Sequence, residues 1–299
     1  MQKQELKSNI LLLLTAAIWG FAFVAQRVGG QLVGAFTFNG IRFALGSISL
    51  LPLLIYFKNN KKEKNDKYNN SSKDALKAGV AAGAILFMGA TLQQMGLAYT
   101  TAGKAAFITG LYIVLVPVLG IFMKQRVHGS TWLGVALAVA GLYFLSINED
   151  FSIAKGDLLE IMGAFFWAGH ILLIDYYVKK VDTLQLSFIQ FATCSVLSMT
   201  AAIFTEDISA GAIYQAMIPI LYGGIFSVGI AYTLQIVGQK HAKPSHAAII
   251  LSMEAMFAAL GGALLLHENL GARGYLGCAL MFAGMMVTQI RDILKLDRE

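Results

Sequence analysis

Charge is scarce in this 299-residue chain. Asp, Glu, Lys and Arg make up 13% of it, against about 25% in ordinary soluble domains. Hydrophobic residues make up 57%, and mean hydropathy is +0.65. Too little polar surface remains to cover a water-soluble globule, so the composition specifies an integral membrane protein. Cysteine is nearly missing as well. Cys194 and Cys278 each lie inside an apolar run, where a packed thiol rather than a disulfide is expected. Signatures of enzyme chemistry are missing too. His267-Glu268-Asn269 does not continue to a zinc-binding HExxH, no GxxxxGK(S/T) loop exists for ATP, and no paired Asp-rich motif is present. No catalytic residue, no cofactor and no metal site is therefore expected, and ATP-driven action would need a separate subunit.

What fills the chain instead is apolar runs of the length that crosses about 30 Å of hydrocarbon. They fall at 9–26, 35–57, 75–99, 104–123, 130–147, 156–178, 183–204, 213–237, 244–266 and 272–293. The first is read as a retained helix rather than a signal peptide, because it lacks a small-x-small cleavage site. The single long polar segment, 58–73, has no apolar residue to bury and is expected to be a flexible loop. Lys and Arg collect in loops on one side if the N-terminus is inside, with Arg27, Lys104, Lys155 and Arg273 on the other and Arg42 within a span. By the positive-inside rule both termini are expected in the cytoplasm of a multi-pass cell-membrane protein. The net charge of +6 reflects that asymmetry and not a nucleic-acid site. Acidic stretches at 148–150 and at Glu206-Asp207 are expected outside.

The chain also repeats itself. AAIWGFAFVAQR at 16–27 lies under AFFWAGHILLID at 164–175, which pairs Trp19 with Trp167. Later, Gly134 pairs with Gly277 and Gly141 with Gly284 at a shift of 143, which sets Glu254 on Leu111. Five spans per half is an odd number, so the second half starts from the opposite side of the membrane. The expected fold is all-α and membrane-embedded, with ten transmembrane helices as two inverted five-helix repeats, 1–147 and 148–299. Such repeats commonly hold a substrate near the midplane between the halves.

The pieces that carry a family likeness are AAIWGFAFVAQR (16–27), GIRFALGSISLLP (40–52), GKAAFITGLYIVLVPVLG (103–120) and GVALAVAGLYFLS (134–146). In the second half they are YTLQIVGQKHAKPSHAAIILSMEAMFAALGGALLLHENL (232–270) and LGCALMFAG (276–284). In this order and spacing the chain resembles the ten-helix drug/metabolite transporter superfamily, in its EamA-like branch. The resemblance implies secondary transport of small organic solutes, often export of amino acids, other metabolites or drugs. Relatives of this kind often place Pro after the glutamate of the ninth span. Here Ala255 stands instead, so the kink the resemblance would imply there lacks its usual cause.

Polar groups at membrane depth are the candidate site residues, since an ionisable side chain there costs about 2.5–3.5 kcal/mol on insertion scales. Glu254 sits near the centre of the ninth span on a face with Ala247, Ala258 and Gly261. It is either a neutral packing glutamate or a cavity-lining group in binding or proton coupling. Arg42 either snorkels to the outer interface or recognises a substrate carboxylate, with Asn39 one turn away. His170 shares a face with Trp167, and Trp19 with Phe23 and Gln26, so two aromatic faces related by the repeat are either core or cavity wall. Gln93 and Gln94 cannot both face one way. The candidate cavity set is Trp19, Phe23, Asn39, Arg42, Gln94, Tyr112, Trp167, His170, Tyr232 and Glu254, with coupling assigned to Glu254. Pro117 removes the hydrogen bond to the Ile113 carbonyl and predicts a hinge in the fourth span without an equivalent in the ninth. Ala255, Ala259 and Ala263 read as a packing seam.

The expected function is secondary transport of an amino-acid-like or drug-like solute by alternating access, export favoured. The expected partners are a small-molecule substrate, the lipid bilayer and a proton or other coupling ion. The oligomeric state is left open, and a membrane-embedded lipid-handling protein or enzyme is the alternative. A phosphorylated substrate is disfavoured, because Arg42 is the lone cation at depth and phosphate sites draw on several donors.

Overall fold

The computed structural model describes residues 2–60, 71–99, 102–124, 127, 129–146, 155–265 and 271–294. The charged segment 61–70 and the acidic turn 148–150 lie outside the described residues. Among those described, every regular element is helical. In chain order they are α1 (Gln2–Gly30), α2 (Ala35–Asn60), α3 (Ser71–Gly96), α4 (Ala102–Gly110), α5 (Tyr112–Phe122), α6 (Gly129–Ser146), α7 (Lys155–Tyr177) and α8 (Thr183–Thr205). Next come α9 (Ala210–Gln215), α10 (Met217–Leu221), a π-helix (Tyr222–Tyr232), α11 (Thr233–Gln239), α12 (Pro244–Leu251), α13 (Glu254–Leu265) and α14 (Gly271–Leu294).

Among the described residues, seven helical stretches are long and apolar enough to cross a membrane, and three shorter apolar ones lie at 108–122, 129–141 and 271–287. The outward faces carry bare apolar side chains such as Phe122 and Phe204, each 82% exposed. A water-facing surface does not tolerate such a continuous belt, whereas lipid tails do.

Association of helices in lipid rests on close packing and interhelical hydrogen bonds rather than on the hydrophobic effect, and both are visible. Helices α6 and α14 approach so closely that a Cβ on Gly141 would lie 2.6 Å from the Gly277 carbonyl oxygen. Reciprocally, a Cβ on Gly284 would lie 2.6 Å from the Gly134 carbonyl oxygen. Helices α2 and α8 are tied by Ser47 Oγ donating to the Phe188 carbonyl (3.4 Å) and Ser195 Oγ donating to the Gly40 carbonyl (2.8 Å). These positions are 148 apart, as are Phe43 and Phe191, whose rings lie 6.3 Å from each other. Each pair thus meets its own counterpart with donor and acceptor exchanged. Gly141→Ala and Gly284→Ala are each expected to force α6 from α14 and to cost about 1–3 kcal/mol, the usual range for overpacking. Thermal unfolding in detergent checks this, and equal losses are expected because the two contacts mirror one another.

Two of the sequence expectations need correction. The fourth span is not a single helix hinged by Pro117. It is interrupted at Leu111, where the ladder tightens to Leu111 N donating to the Ile108 carbonyl and Val114 N to the Leu111 carbonyl, while Pro117 lies inside α5. The ninth span, expected to lack an equivalent, is interrupted as well, at Ser252-Met253, with Met253 N donating to the Ile250 carbonyl. No proline is needed at 255 for this, because the backbone bonds shorten locally from i−4 to i−3. The two interruptions also reset the register. Tyr112 opens α5 and Glu254 opens α13, so the counterpart of Glu254 is Tyr112, at a shift of 142, and not Leu111. The shift of 143 holds for the span after it, where Gly134 and Gly141 of α6 meet Gly284 and Gly277 of α14.

Candidate functional site

The π-helix carries the centre of the site. Eleven residues in this geometry are far more than the single-turn bulge usual in α-helices. At its end sits Tyr232, whose ring is surrounded by Trp19 (centroids 4.5 Å apart), Phe191 (5.9 Å), Phe43 (6.0 Å), His170 (6.2 Å) and Trp167 (6.3 Å). Trp19 and Trp167 therefore flank one tyrosine from α1 and α7. Trp19 is also fixed by its indole N–H, which donates to the Ser227 carbonyl at 3.1 Å.

Around this cluster lies a cavity lined by Trp19, Phe23, Gln26, Arg42, Gln93, Thr109, Tyr112, Trp167, His170, Ile171, Ser227, Tyr232, Gln235, Leu251 and Glu254. The space open to the centre of a water molecule is about 30 Å³, enough for about two waters. No metabolite fits without parting of the walls.

Arg42 does not snorkel. It is 2% exposed, its Nε donates to Asn39 Oδ1 at 2.9 Å, and its guanidinium carbon lies 5.5 Å and 5.0 Å from the ring centroids of Phe38 and Phe43. Asn39 in turn donates to the Ala90 carbonyl at 3.1 Å. The fork is held from behind by an amide and two rings. Glu254 is 4% exposed and its Oε1 accepts from the Tyr112 hydroxyl at 3.1 Å. A cation and a carboxylate thus share one enclosed aromatic chamber, a combination suited to the two ends of a zwitterion.

Of the residues proposed from sequence, the structure brings together Trp19, Phe23, Arg42, Tyr112, Trp167, His170, Tyr232 and Glu254 at the cavity. Asn39 lies behind Arg42. Gln94 is turned away, its amide donating to the Gln26 carbonyl at 3.0 Å, and its neighbour Gln93 lines the cavity instead, donating to Gln26 Oε1 at 3.1 Å. His170 shares 3.0 Å with Gln190 Oε1 through Nε2, so it is oriented by a side chain at the repeat position of Arg42. Thr109 and Gln235, polar groups of the fourth and eighth spans, also line the cavity, and the residues that the sequence reading passed over are Ser227 and Glu160. Glu160 carried the same signal as Glu254, a carboxylate inside an apolar run.

A separate, wider cleft of about 580 Å³ opens at the ends of α7 and α11 and the start of α12, lined by Asp175, Lys179, Lys240, His241, Lys243 and His246 among others. Helix α12 reaches from this cleft, at Pro244 to His246, to the cavity, at Leu251. Its eight residues make a path of about 12 Å.

Among the described residues, no group of three or more His, Cys, Asp or Glu side chains is arranged to hold a metal ion.

Comparison with known proteins agrees with this architecture. A solved crystal structure superposes with a TM-score of 0.77 over 95% of this chain and 96% of its own, at 16% identity, which is a likeness of fold alone. The chain is 32% identical over 292 residues to an uncharacterized transporter of Archaeoglobus fulgidus, covering 96% of this chain and 87% of that protein. It is 23% identical to the uncharacterized transporter YoaV of Bacillus subtilis, covering 90% and 92%. It is also 29% identical over 167 residues to a probable amino-acid metabolite efflux pump of Escherichia coli, covering 54% of this chain and 51% of the pump. The model of the EamA-like transporter family matches twice, over residues 6–147 and 154–289, and the chain, a membrane-embedded transporter by its apolar helices and its relatives, belongs to that family.

Proposed function

We propose that the chain is a secondary transporter that moves a small organic metabolite, amino-acid-like or drug-like, across the cell membrane by alternating access between two inverted repeats. Export is the favoured direction, in keeping with the name of the Escherichia coli relative. The observation that carries this reading is the enclosed cavity that Arg42 and Glu254 share at the interruption of two broken helices. Broken helices at the repeat interface are where transporters of this architecture hold substrate and coupling ions. The reciprocal contacts of α2 with α8 and of α6 with α14 support the repeat, since contacts exchanged between counterparts are what a two-fold relation generates.

In this reading Arg42 takes a carboxylate through its fork. Glu254 takes an amine or gives up and regains a proton during the cycle, and Trp19, Trp167 and Tyr232 shape the apolar remainder. The Lys-rich cleft faces the cytoplasm by the positive-inside rule, with both termini, and draws anionic ends toward α12.

A thermal-shift panel on purified protein tests the substrate class. An amino acid present at about a hundred times its Kd is expected to add about 2.7 kcal/mol of stability. The matching amide, which lacks the carboxylate, is expected to add far less. Equal shifts from acids and amides, or no shift from any zwitterion, would overturn the assignment. A hit is then followed by counterflow in proteoliposomes.

A further inference from the structure

Besides Glu254, the carboxylates buried among the described residues are Asp157 and Glu160, both on the first turns of α7. Asp157 is partnered. Glu160 is fully enclosed, its Oε2 accepts from Thr109 Oγ1 at 3.0 Å, and its Oε1 has no hydrogen-bond partner. Room for it is made by the end of α3, where a Cβ on Gly96 would lie 2.6 Å from Oε1. A carboxyl group so placed is short of partners: ionised it has one donor and a bare Oε1, and protonated on Oε2 it can only exchange roles with the same Thr109 hydroxyl. That is a costly arrangement for packing alone.

Thr109 connects Glu160 to the central cavity. Its hydroxyl binds Glu160 on one side, and the residue lines the same chamber as Tyr112 and Glu254 on the other. That chamber has room for about two waters. We propose that Glu160 is a second proton-carrying site, exchanging a proton with Glu254 through the Thr109 hydroxyl. The inference rests on the coupling role of Glu254.

In the forward step the Glu254 carboxylic acid passes its proton to cavity water. The water passes one to Thr109 Oγ1, and the proton already on Thr109 moves along its existing hydrogen bond to Glu160 Oε2. Glu254 is left as a carboxylate that the Tyr112 hydroxyl stabilises, and Glu160 becomes the acid. Net charge is unchanged, and the reverse step restores the start. The charged neighbours that act on Glu160 are Asp157 from its own helix and Glu254 from α13. Tyr112 from α5 donates to Glu254 at the cavity, and Lys155 lies over the Tyr99 ring, 5.2 Å from its centroid.

The test is infrared difference spectroscopy of the reconstituted full-length protein, titrated from about pH 4 to 10 and read at the carboxyl C=O bands; protons are the only ligand needed. Glu160→Gln is expected to remove one titrating band and Glu254→Gln another. The midpoint of the Glu160 band is expected to move by about one pH unit or more in Glu254→Gln, as coupled groups require. A Glu160 band that does not titrate, or a midpoint unmoved by Glu254→Gln, overturns the exchange. Absence of a titrating Glu254 band overturns it too, and unlike the first two results it also removes the coupling role of Glu254. Should Glu160→Gln fail to fold, Thr109→Val keeps both carboxyls. It is expected to shift the Glu160 band to higher frequency and abolish its response to Glu254→Gln, and no change in either overturns the proposal.

Discussion

Glu254→Gln is expected to reduce proton-driven flux of the panel hit to background in proteoliposomes while leaving the protein folded. The amide has the size of the carboxylic acid and keeps an oxygen to accept from the Tyr112 hydroxyl, which now lies 3.1 Å from Glu254 Oε1. The fold should therefore survive the substitution, with an unchanged elution profile in detergent. What the amide cannot do is release a proton. If Glu254 is only a packing glutamate, flux and its pH dependence persist in the mutant. Exchange of internal for external substrate, which needs no net proton movement, separates loss of coupling from loss of binding. Retained exchange with lost proton-driven accumulation assigns Glu254 to the proton, and loss of both assigns it to a substrate amine.

Arg42→Ala is expected to remove discrimination between amino acids and their amides. Truncating one partner of a buried charge pair costs about 2–5 kcal/mol, so preference for the carboxylate should fall by about thirtyfold or more. The discriminating control is Arg42→Lys, which keeps the charge but loses the planar fork that Asn39 orients at 2.9 Å and the stacking on Phe38 and Phe43. An intermediate preference is expected there. Unaltered selectivity in both variants would reduce Arg42 to a packing residue. Competition uptake of acid against amide measures the ratio directly.

Much of this site was legible in the residues. A carboxylate and a guanidinium inside apolar runs are visible without coordinates because each is costly in lipid, and the Trp19–Trp167 pairing follows from the repeat. Side-chain direction was harder. Gln93 and Gln94 are adjacent, and which one enters the cavity is decided by Gln26 on α1, whose side chain takes one and whose backbone takes the other. The π-helix was not read from the sequence: its eleven residues are an apolar run like those of the other spans, and they pack against α1 and α2. Register slipped for a related reason. The glycines of the fifth span align at 143, but the helix interruptions of the fourth and ninth align at 142. The apparent break in symmetry at Leu111 is a symmetric pair, Tyr112 and Glu254, joined by a hydrogen bond. The halves differ at the cavity, where one supplies a phenol and the other a carboxylate, and one supplies Arg42 where the other has Gln190.

Central to the account is a cavity that opens to each side of the membrane in turn. Ser227, 2% exposed and lining the cavity, is the place to test it, by Ser227→Cys in a background of Cys194→Ala and Cys278→Ala. Labelling by a membrane-impermeant thiol reagent is then read from the cytoplasmic face in inverted vesicles and from the outer face in right-side-out vesicles. The account predicts labelling from both faces, with a bound substrate changing the two rates in opposite directions. Labelling confined to one face, or absent from both while a surface cysteine reacts normally, would contradict it.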